Sequence, residues 1–542
     1  MTSASHLDDL AGMTACLIVD GDHIERFAQE ALALAVQRGL KVTCVVVCDN
    51  TVVPRRPIKH GGYYLYKLLF LHDPWTRGVP WAPLLAPDVA VHHFDSVWEG
   101  IWQRIPTEAL SFIAEQQVDV VLRFGMTLLR DPDDVPCTYG VLSFHHGDPS
   151  QYRGRPAGFY EVRDEADHLG IMVQRLSNQL DAGNILAYGA VKVQPHSYRR
   201  TLEHAFATSR YLLVTALQNL RRGESVDRST DGQNYRLPNN LVVLRFALAL
   251  LGRKARRLRY GLTMQKRWCL ATVKPVDLGS LEADVALQLE QDLPVPDGFA
   301  LLADPAVLDE ATLLCEGVDA RSGRGRLLGV RDGQVWAVDT RVLGKGHLSY
   351  PHVVRAGPDL QVLPEMSQIG PQRIARVVDD GRRLVDARPL AGLEELRLTD
   401  PTLVHHADRW WLFAGQPGSA AEVLFLWSAP DVTGPFVPHP DSPIVMDPAC
   451  ARMAGPVQVH EGRLFRLGQD NRRGYGDGVA VCEILTLEAD RYREVHHATL
   501  RMSDGHGPHS LDVWGDRCVV DRYDEIRDAG AGLRRIRAHL AS

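Results

Sequence analysis

The second half of the chain repeats itself at an interval near fifty residues, and that period restricts its fold more than any other feature. The segments ADPAVL from Ala303, SYPHVV from Ser349, TDPTLV from Thr399, AGPVQV from Ala454 and PHSLDV from Pro508 each begin an apolar run after a small turn. A second apolar run follows each of them: TLLCEG, LQVLPE, RWWLFAG, RLFRLGQD and RCVVDRY. The steps from Asp304 to Tyr350, Asp400, Gly455 and His509 are 46, 50, 55 and 54 residues. A unit of this length made of short strands cannot bury its apolar face alone, and stacking several such units around an axis gives a β-propeller. Five copies predict a five-bladed propeller over residues 265–525.

The first half follows a different rule. ACLIVD (15–20) predicts a buried strand, HIERFAQEALALAVQRG (23–39) an amphipathic helix closed by Gly39, and KVTCVVVCD (41–49) the next strand. The alternation continues through VDVVLRFG and YGVLSFHHGD and predicts an α/β domain over residues 1–225 with a mainly parallel, Rossmann-like sheet. Ligands of such sheets sit beyond the carboxyl ends of the strands. With 542 residues the chain is too long for one core, so two or three domains are expected. Residues 226–264 are expected to hold a polar linker and a basic amphipathic helix, and residues 526–542 a C-terminal helix.

Charge and cysteine content remove several classes of function. A formal net charge of −7 gives no general attraction to nucleic acid, and no nucleic-acid partner is expected. Nine scattered cysteines without a C-x-x-C predict reduced thiols and no zinc site. The amino terminus MTSASHLDDLAGM has neither a basic start nor a long apolar core, which predicts no secretory signal and a cytoplasmic address. The apolar run 241–251 is interrupted by Arg245 and is too short to span a bilayer. Its basic tail (Arg253, Lys254, Arg256, Arg257, Arg259) allows membrane contact through residues 241–259, but a helix packed between domains with a solvated basic end is the preferred expectation.

Chemistry concentrates in SFHHGDPSQYRG, residues 143–154, where a predicted strand ends in two histidines. Asp181 follows in LDAGNIL, just before another strand. A histidine after one strand and a carboxylate before another can meet across a sheet edge as an Asp–His pair suited to proton transfer. His146 and Asp148 are auxiliary candidates, although an aspartate before Pro149 also forms turns. Arg153 and Gly154 are expected to shape the loop.

These motifs, in this order, resemble the formyltransferase domain shared by methionyl-tRNA formyltransferase, glycinamide ribonucleotide transformylase and the sugar N-formyltransferases. The resemblance implies that His145 and Asp181 occupy the catalytic positions. It also implies that Phe124, Gly125, Met126 and Leu128 in RFGMTLL line the folate pocket. Ser143 stands where the family carries an asparagine, the expected donor to the oxyanion. The implied activity is transfer of a formyl group from N10-formyltetrahydrofolate, as co-substrate, to a small-molecule amine such as an amino sugar. No metal is predicted.

In the propeller, Asp304, Tyr350, Asp400 and His509 are expected at one end of the axis, with Glu316, Glu365, Gln469 and Asp470 on the following strands. This end resembles arabinanase and invertase-like glycosidases, while SYPHVV, DPTLV and GRLFRLGQDNRRGYGDGV are more similar to the propeller domain of plant glucosamine inositolphosphorylceramide transferases. Two alternatives follow: a glycoside hydrolase or transglycosidase working at the axis, or a catalytically degenerate module that binds folate or glycan.

Overall fold

Val120, Val121 and Leu122 are bracketed by equally apolar strands, and such runs are stable only with both faces of a sheet covered. The computed structural model, which describes residues 9–50, 58–178, 183–357 and 359–535, places them in a seven-stranded sheet. Its strands are β1 (Thr14–Asp20), β2 (Lys41–Cys48), β3 (Ala90–Phe94), β4 (Val120–Arg123), β5 (Val141–His146), β6 (His168–Arg175) and β7 (Asn184–Lys192). The spatial order is β7-β6-β5-β4-β1-β2-β3. The first five strands are mutually parallel; β6 runs antiparallel to β5, and β7 antiparallel to β6 and so along the direction of the first five. Helix α1 (Arg26–Gln37) precedes α2 (Gly61–Phe70) and α3 (Thr107–Glu115). Ala109 and Ile113 of α3 pack on Cys16, Ile18, Cys44 and Val46, and the alternate residues Leu17, Val19, Val45 and Val47 are buried as well.

After α4 (Phe159–Asp164), α5 (Tyr198–Ser209) and α6 (Leu212–Arg222) comes α7 (Asn240–Thr263). The chain divides into its two compact units inside α7, between Lys254 and Ala255, and not in the polar stretch before it. That stretch is more than a linker: Gln233–Tyr235 forms a short strand parallel to Tyr152–Gly154. All nine cysteines are free, and seven of them are buried.

The second unit is a five-bladed propeller. Three blades are continuous in sequence, starting at Phe299–Val307, Ser349–Ala356 and Thr399–His406. The fourth is built on Gln458–His460, Arg463–Gln469, Val479–Leu487 and Tyr492–Met502, with Val285–Leu287 added in parallel to its outer edge. The fifth joins both ends of the domain, because Met264–Val273 pairs antiparallel with Arg517–Arg527 from Met264↔Arg527 to Val273↔Cys518. This closure supplies partners to edges that an open ring would leave unpaired. It also carries the last strand to Arg527, past the expected start of a C-terminal helix at 526; a helical turn begins only at Ala531, and residues from 536 on lie outside the described residues.

Candidate functional site

At the carboxyl edge of the sheet, β4 and β5 run parallel with Arg123 opposite Ser143. The two-residue period sends Ser143 and His145 to one face and Phe144 and His146 to the other. Arg123 donates to the buried Ser143 Oγ from Nη2 at 2.7 Å and Nε at 3.2 Å. Its Nη1 also donates to the carbonyls of Met126 (2.5 Å) and Thr127 (3.1 Å). The Ser143 hydroxyl, at the family's asparagine position, is therefore an acceptor for a guanidinium and donates to Phe144 O at 3.3 Å, so the strong donor at this edge is Arg123. The turn after β4 is held from the other side by Asp20 at the end of β1, whose Oδ1 accepts the Met126 N–H at 2.8 Å. A Cβ at Gly125 would lie 2.5 Å from Asp20 N, which accounts for the glycine, while Met126 is held at φ +56° by its N–H bond to Asp20.

Two hollows open on this edge. His145, Arg123, Thr127 and Leu128 share one of about 610 Å³ with Gly154, Arg155, Asn234 and Tyr235. Phe124, Gly125 and Met126 line the other, about 330 Å³, with Phe27, Ser143, His146 and Phe206. The four residues expected to form one folate pocket thus divide between two hollows, with Arg123 and Thr127 reaching both. Gly154, at φ +87°, leaves no room for a side chain: a Cβ would lie 2.1 Å from Tyr235 O. Arg153 ties the loop down by donating to Thr230 O at 3.0 Å. Asp181 lies outside the described residues.

The auxiliary candidates have other duties. The His146 ring packs against Phe27 and Phe206, with centroids 5.4 and 4.6 Å away. Its Nε2 lies 2.9 Å from Ser209 Oγ, whose own proton goes to Ala205 O, so Nε2 is the donor. Burial and the neighbouring His145 push its pKa down to about 3, and it sits neutral as a tie between β5 and α5. Asp148 is buried among Arg228 (Nε at 3.0 Å, Nη2 at 2.5 Å), His168 (3.2 Å) and Ser150. Burial opposes its charge, but these donors hold it well below the usual carboxylate range. It staples the loop and faces neither hollow.

The propeller axis carries a second constellation. Asp304, Tyr350 and Asp400 adopt φ of +52°, +44° and +49°, each beside a register break in the first strand of its blade. The bulge turns these side chains toward the neighbouring blade. Asp304 Oδ2 accepts the Tyr350 N–H at 3.1 Å, Glu365 Oε2 accepts the Asp400 N–H at 3.1 Å, and Asp521 Oδ2 accepts the Asp304 N–H at 3.0 Å. His509 bridges two carboxylates, with Nδ1 2.5 Å from Asp521 and Nε2 3.3 Å from Asp304. Arg452 pairs with Asp400 at 2.5 Å, and Gln469 Nε2 donates to the same carboxylate at 3.3 Å. Glu316 lies 3.4 Å from His347.

The electrostatics separate these acids. Burial and the Asp400 charge push Glu365 up to about 8, and burial with its acidic neighbours pushes Asp304 to about 6 and Glu316 well above its ordinary value. Burial opposes a charged His509, yet Asp521 and Asp304 raise it to about 9. Asp521 in turn is held down by His509 in spite of its burial. Asp470 stands apart, paired with Arg472 at 2.9 Å and Arg501 at 2.7 Å. The members not foreseen are Arg452 and, on the fifth blade, Asp521. The repeat carries its signal, since RCVVDRY ends its apolar run on Asp521 as TLLCEG and LQVLPE do on Glu316 and Glu365. Arg123 was also legible, as a guanidinium closing an otherwise apolar strand. Asn234 and Tyr235 were hidden in a segment without periodicity.

Three kinds of relative were found. Residues 329–514 match the family described as glucosamine inositolphosphorylceramide transferase 1, N-terminal. The transferase of that name from Arabidopsis thaliana is 29% identical over 160 residues, covering 28% of this chain and 20% of the relative. Its counterpart from Oryza sativa subsp. japonica is 30% identical over 155 residues. The similarity thus spans about a fifth of the curated relatives' length. Among solved structures, glycinamide ribonucleotide transformylase 1 of Symbiobacterium toebii aligns with 44% of this chain and 97% of its own at 14% identity and TM-score 0.27. An α-L-arabinanase of Cellvibrio cellulosa aligns with 36% of this chain and 77% of its own at 10% identity and TM-score 0.28.

Proposed function

We propose that the first unit transfers the formyl group of N10-formyltetrahydrofolate to a primary amine, carried by an amino sugar or a related metabolite. The observation that carries this reading is His145 at the carboxyl end of a parallel strand, facing a hollow of about 610 Å³ together with the Arg123 guanidinium. That volume suits a drug-sized ligand. In the reaction the amine nitrogen forms a bond to the formyl carbon, the bond from that carbon to N10 breaks, and the proton shed by the amine is returned to N10. His145 handles this proton, Asp181 orients His145, and the charge that develops on the formyl oxygen is met by His145 and Arg123. A guanidinium fills the role left open by Ser143 in place of asparagine, a contribution of about 3–4 kcal/mol for a donor of this kind.

The propeller presents the sugar-bearing acceptor in this scheme, a role motivated by the glycolipid named in the matching family. A second reading places glycoside chemistry at the axis; it is favoured by a carboxyl held protonated at Glu365 beside the Arg452-paired carboxylate of Asp400. Calorimetric titration with 5-formyltetrahydrofolate, followed by formylation assays on a panel of amino sugars, tests the first reading. Binding in the micromolar range is expected, with turnover reduced at least about a hundredfold in His145→Ala and in Arg123→Met while ligand affinity changes less. Absence of folate binding, or full turnover in a folded His145→Ala protein, refutes it.

A further inference from the structure

Helices α2 and α7 lie together on the first unit. Asn240 Oδ1 accepts the Gly62 N–H at 2.8 Å, Asn240 Nδ2 donates to Ile58 O at 3.0 Å, and His60 Nδ1 lies 2.9 Å from Pro238 O. Their inner faces meet in an aromatic cluster, where Phe246 contacts Tyr66, Phe159 and Tyr198 at centroid distances of 5.8, 4.3 and 5.8 Å. Val243, Phe246, Leu250 and Arg253 are the buried positions of α7.

The outer face should be polar on a helix so placed, and it is not. At 100° per residue Leu241, Leu244, Leu248 and Leu251 fall within an arc of about 80°, opposite the buried face. They are 54%, 56%, 59% and 62% exposed. On α2, Leu65, Leu68 and Leu69 are likewise more than half exposed. Each of these two helices thus exposes a row of leucines, which scattered surface apolar residues do not explain.

Charge identifies what covers this surface. Arg245 and Lys254 of α7 are exposed and flank the leucine row, about 40° beyond Leu241 and about 60° beyond Leu251 at 100° per residue. Helices of 10 and 24 residues contain none of the 67 acidic residues in a chain of net charge −7. Leucines flanked by cations match the boundary of an anionic bilayer, where acyl chains take the apolar face and lipid phosphates and carboxylates take the cations. Stacking two copies on this face would bring like charges together. No helix among the described residues is long and apolar enough to cross a membrane.

We infer that α2 and the first turns of α7 form a docking face that seats the protein on the surface of an anionic membrane. The test uses the full chain with sedimentable vesicles of phosphatidylcholine, with and without phosphatidylserine. The expected result is co-sedimentation with the anionic vesicles, weakened by salt. The bound-to-free ratio should fall at least about tenfold in the Leu244→Glu/Leu248→Glu and Leu65→Glu/Leu68→Glu variants, whose sites are exposed. Arg245→Glu/Lys254→Glu, which leaves the leucines intact, should weaken binding to anionic vesicles as well. The inference is overturned if the wild type stays in solution with both vesicle types, or if the leucine variants sediment as the wild type does. It is overturned too if light scattering shows a dimer that the variants dissociate and no vesicle binding, which would make the face a contact between copies.

Discussion

The His509 bridge makes propeller stability depend on pH in a calculable way. The imidazole sits between Asp521 at 2.5 Å and Asp304 at 3.3 Å, with Arg452 as the opposing charge, and its pKa is raised to about 9. Against an ordinary value near 6.5, this favours the charged form by about 3 kcal/mol. A raised folded-state pKa contributes stability that is complete below the unfolded value and is lost as pH rises through the folded one. Between pH 7 and 9.5, about 2 kcal/mol of it should disappear. The assay is urea unfolding of the full chain at intervals over that range, followed by tryptophan fluorescence, with Trp268 reporting locally because its ring lies 5.1 Å from that of His509. His509→Gln is the reference: it should be less stable at pH 7 and should lack this part of the pH slope. Equal slopes for the two proteins between pH 7 and 9.5 would mean that His509 is neutral in the folded state and the charged bridge is misassigned.

Glu365 predicts the opposite response to mutation. Raised to about 8, it folds protonated at neutral pH, so Glu365→Gln should leave the propeller at least as stable at pH 7 and flatten the decline in stability between pH 5 and 8, which urea titrations would show. At Gly154, alanine would place a Cβ 2.1 Å from Tyr235 O at a φ of +87°, so Gly154→Ala should destabilise the first unit by about 1–3 kcal/mol and displace the 233–235 strand that walls the larger hollow. Unchanged folate affinity and melting temperature in that variant would detach this strand from the site.

Some of this was readable from residue order because it rests on local periodicity. The fifty-residue repeat shows five blades, since each must alternate strand and turn to be stacked, and the apolar runs of β1, β2 and β4 show a sheet buried on both faces. The same repeat shows which positions approach the axis. Other features depend on segments far apart in the chain. The ring is closed by Met264–Val273 against Arg517–Arg527, and nothing in either strand names its partner, because backbone hydrogen bonds do not discriminate between strands.

Charge states and roles were settled by packing. His145 and His146 are adjacent and chemically identical, but a two-residue period sends one to the larger hollow and the other to the smaller, where Phe27 and Phe206 sheathe its ring. Asp148 and Asp470 read like site carboxylates until arginines from elsewhere in the chain neutralise them. The leucines of α7 promised a buried helix, and only the tertiary structure left them facing outward. By itself the sequence determined the two architectures and the sheet edge of His145 or the axis of Asp304, Asp400 and His509. The fold decided which of those residues are charged, neutralised or exposed, because these properties depend on desolvation and on partners brought together from distant parts of the chain.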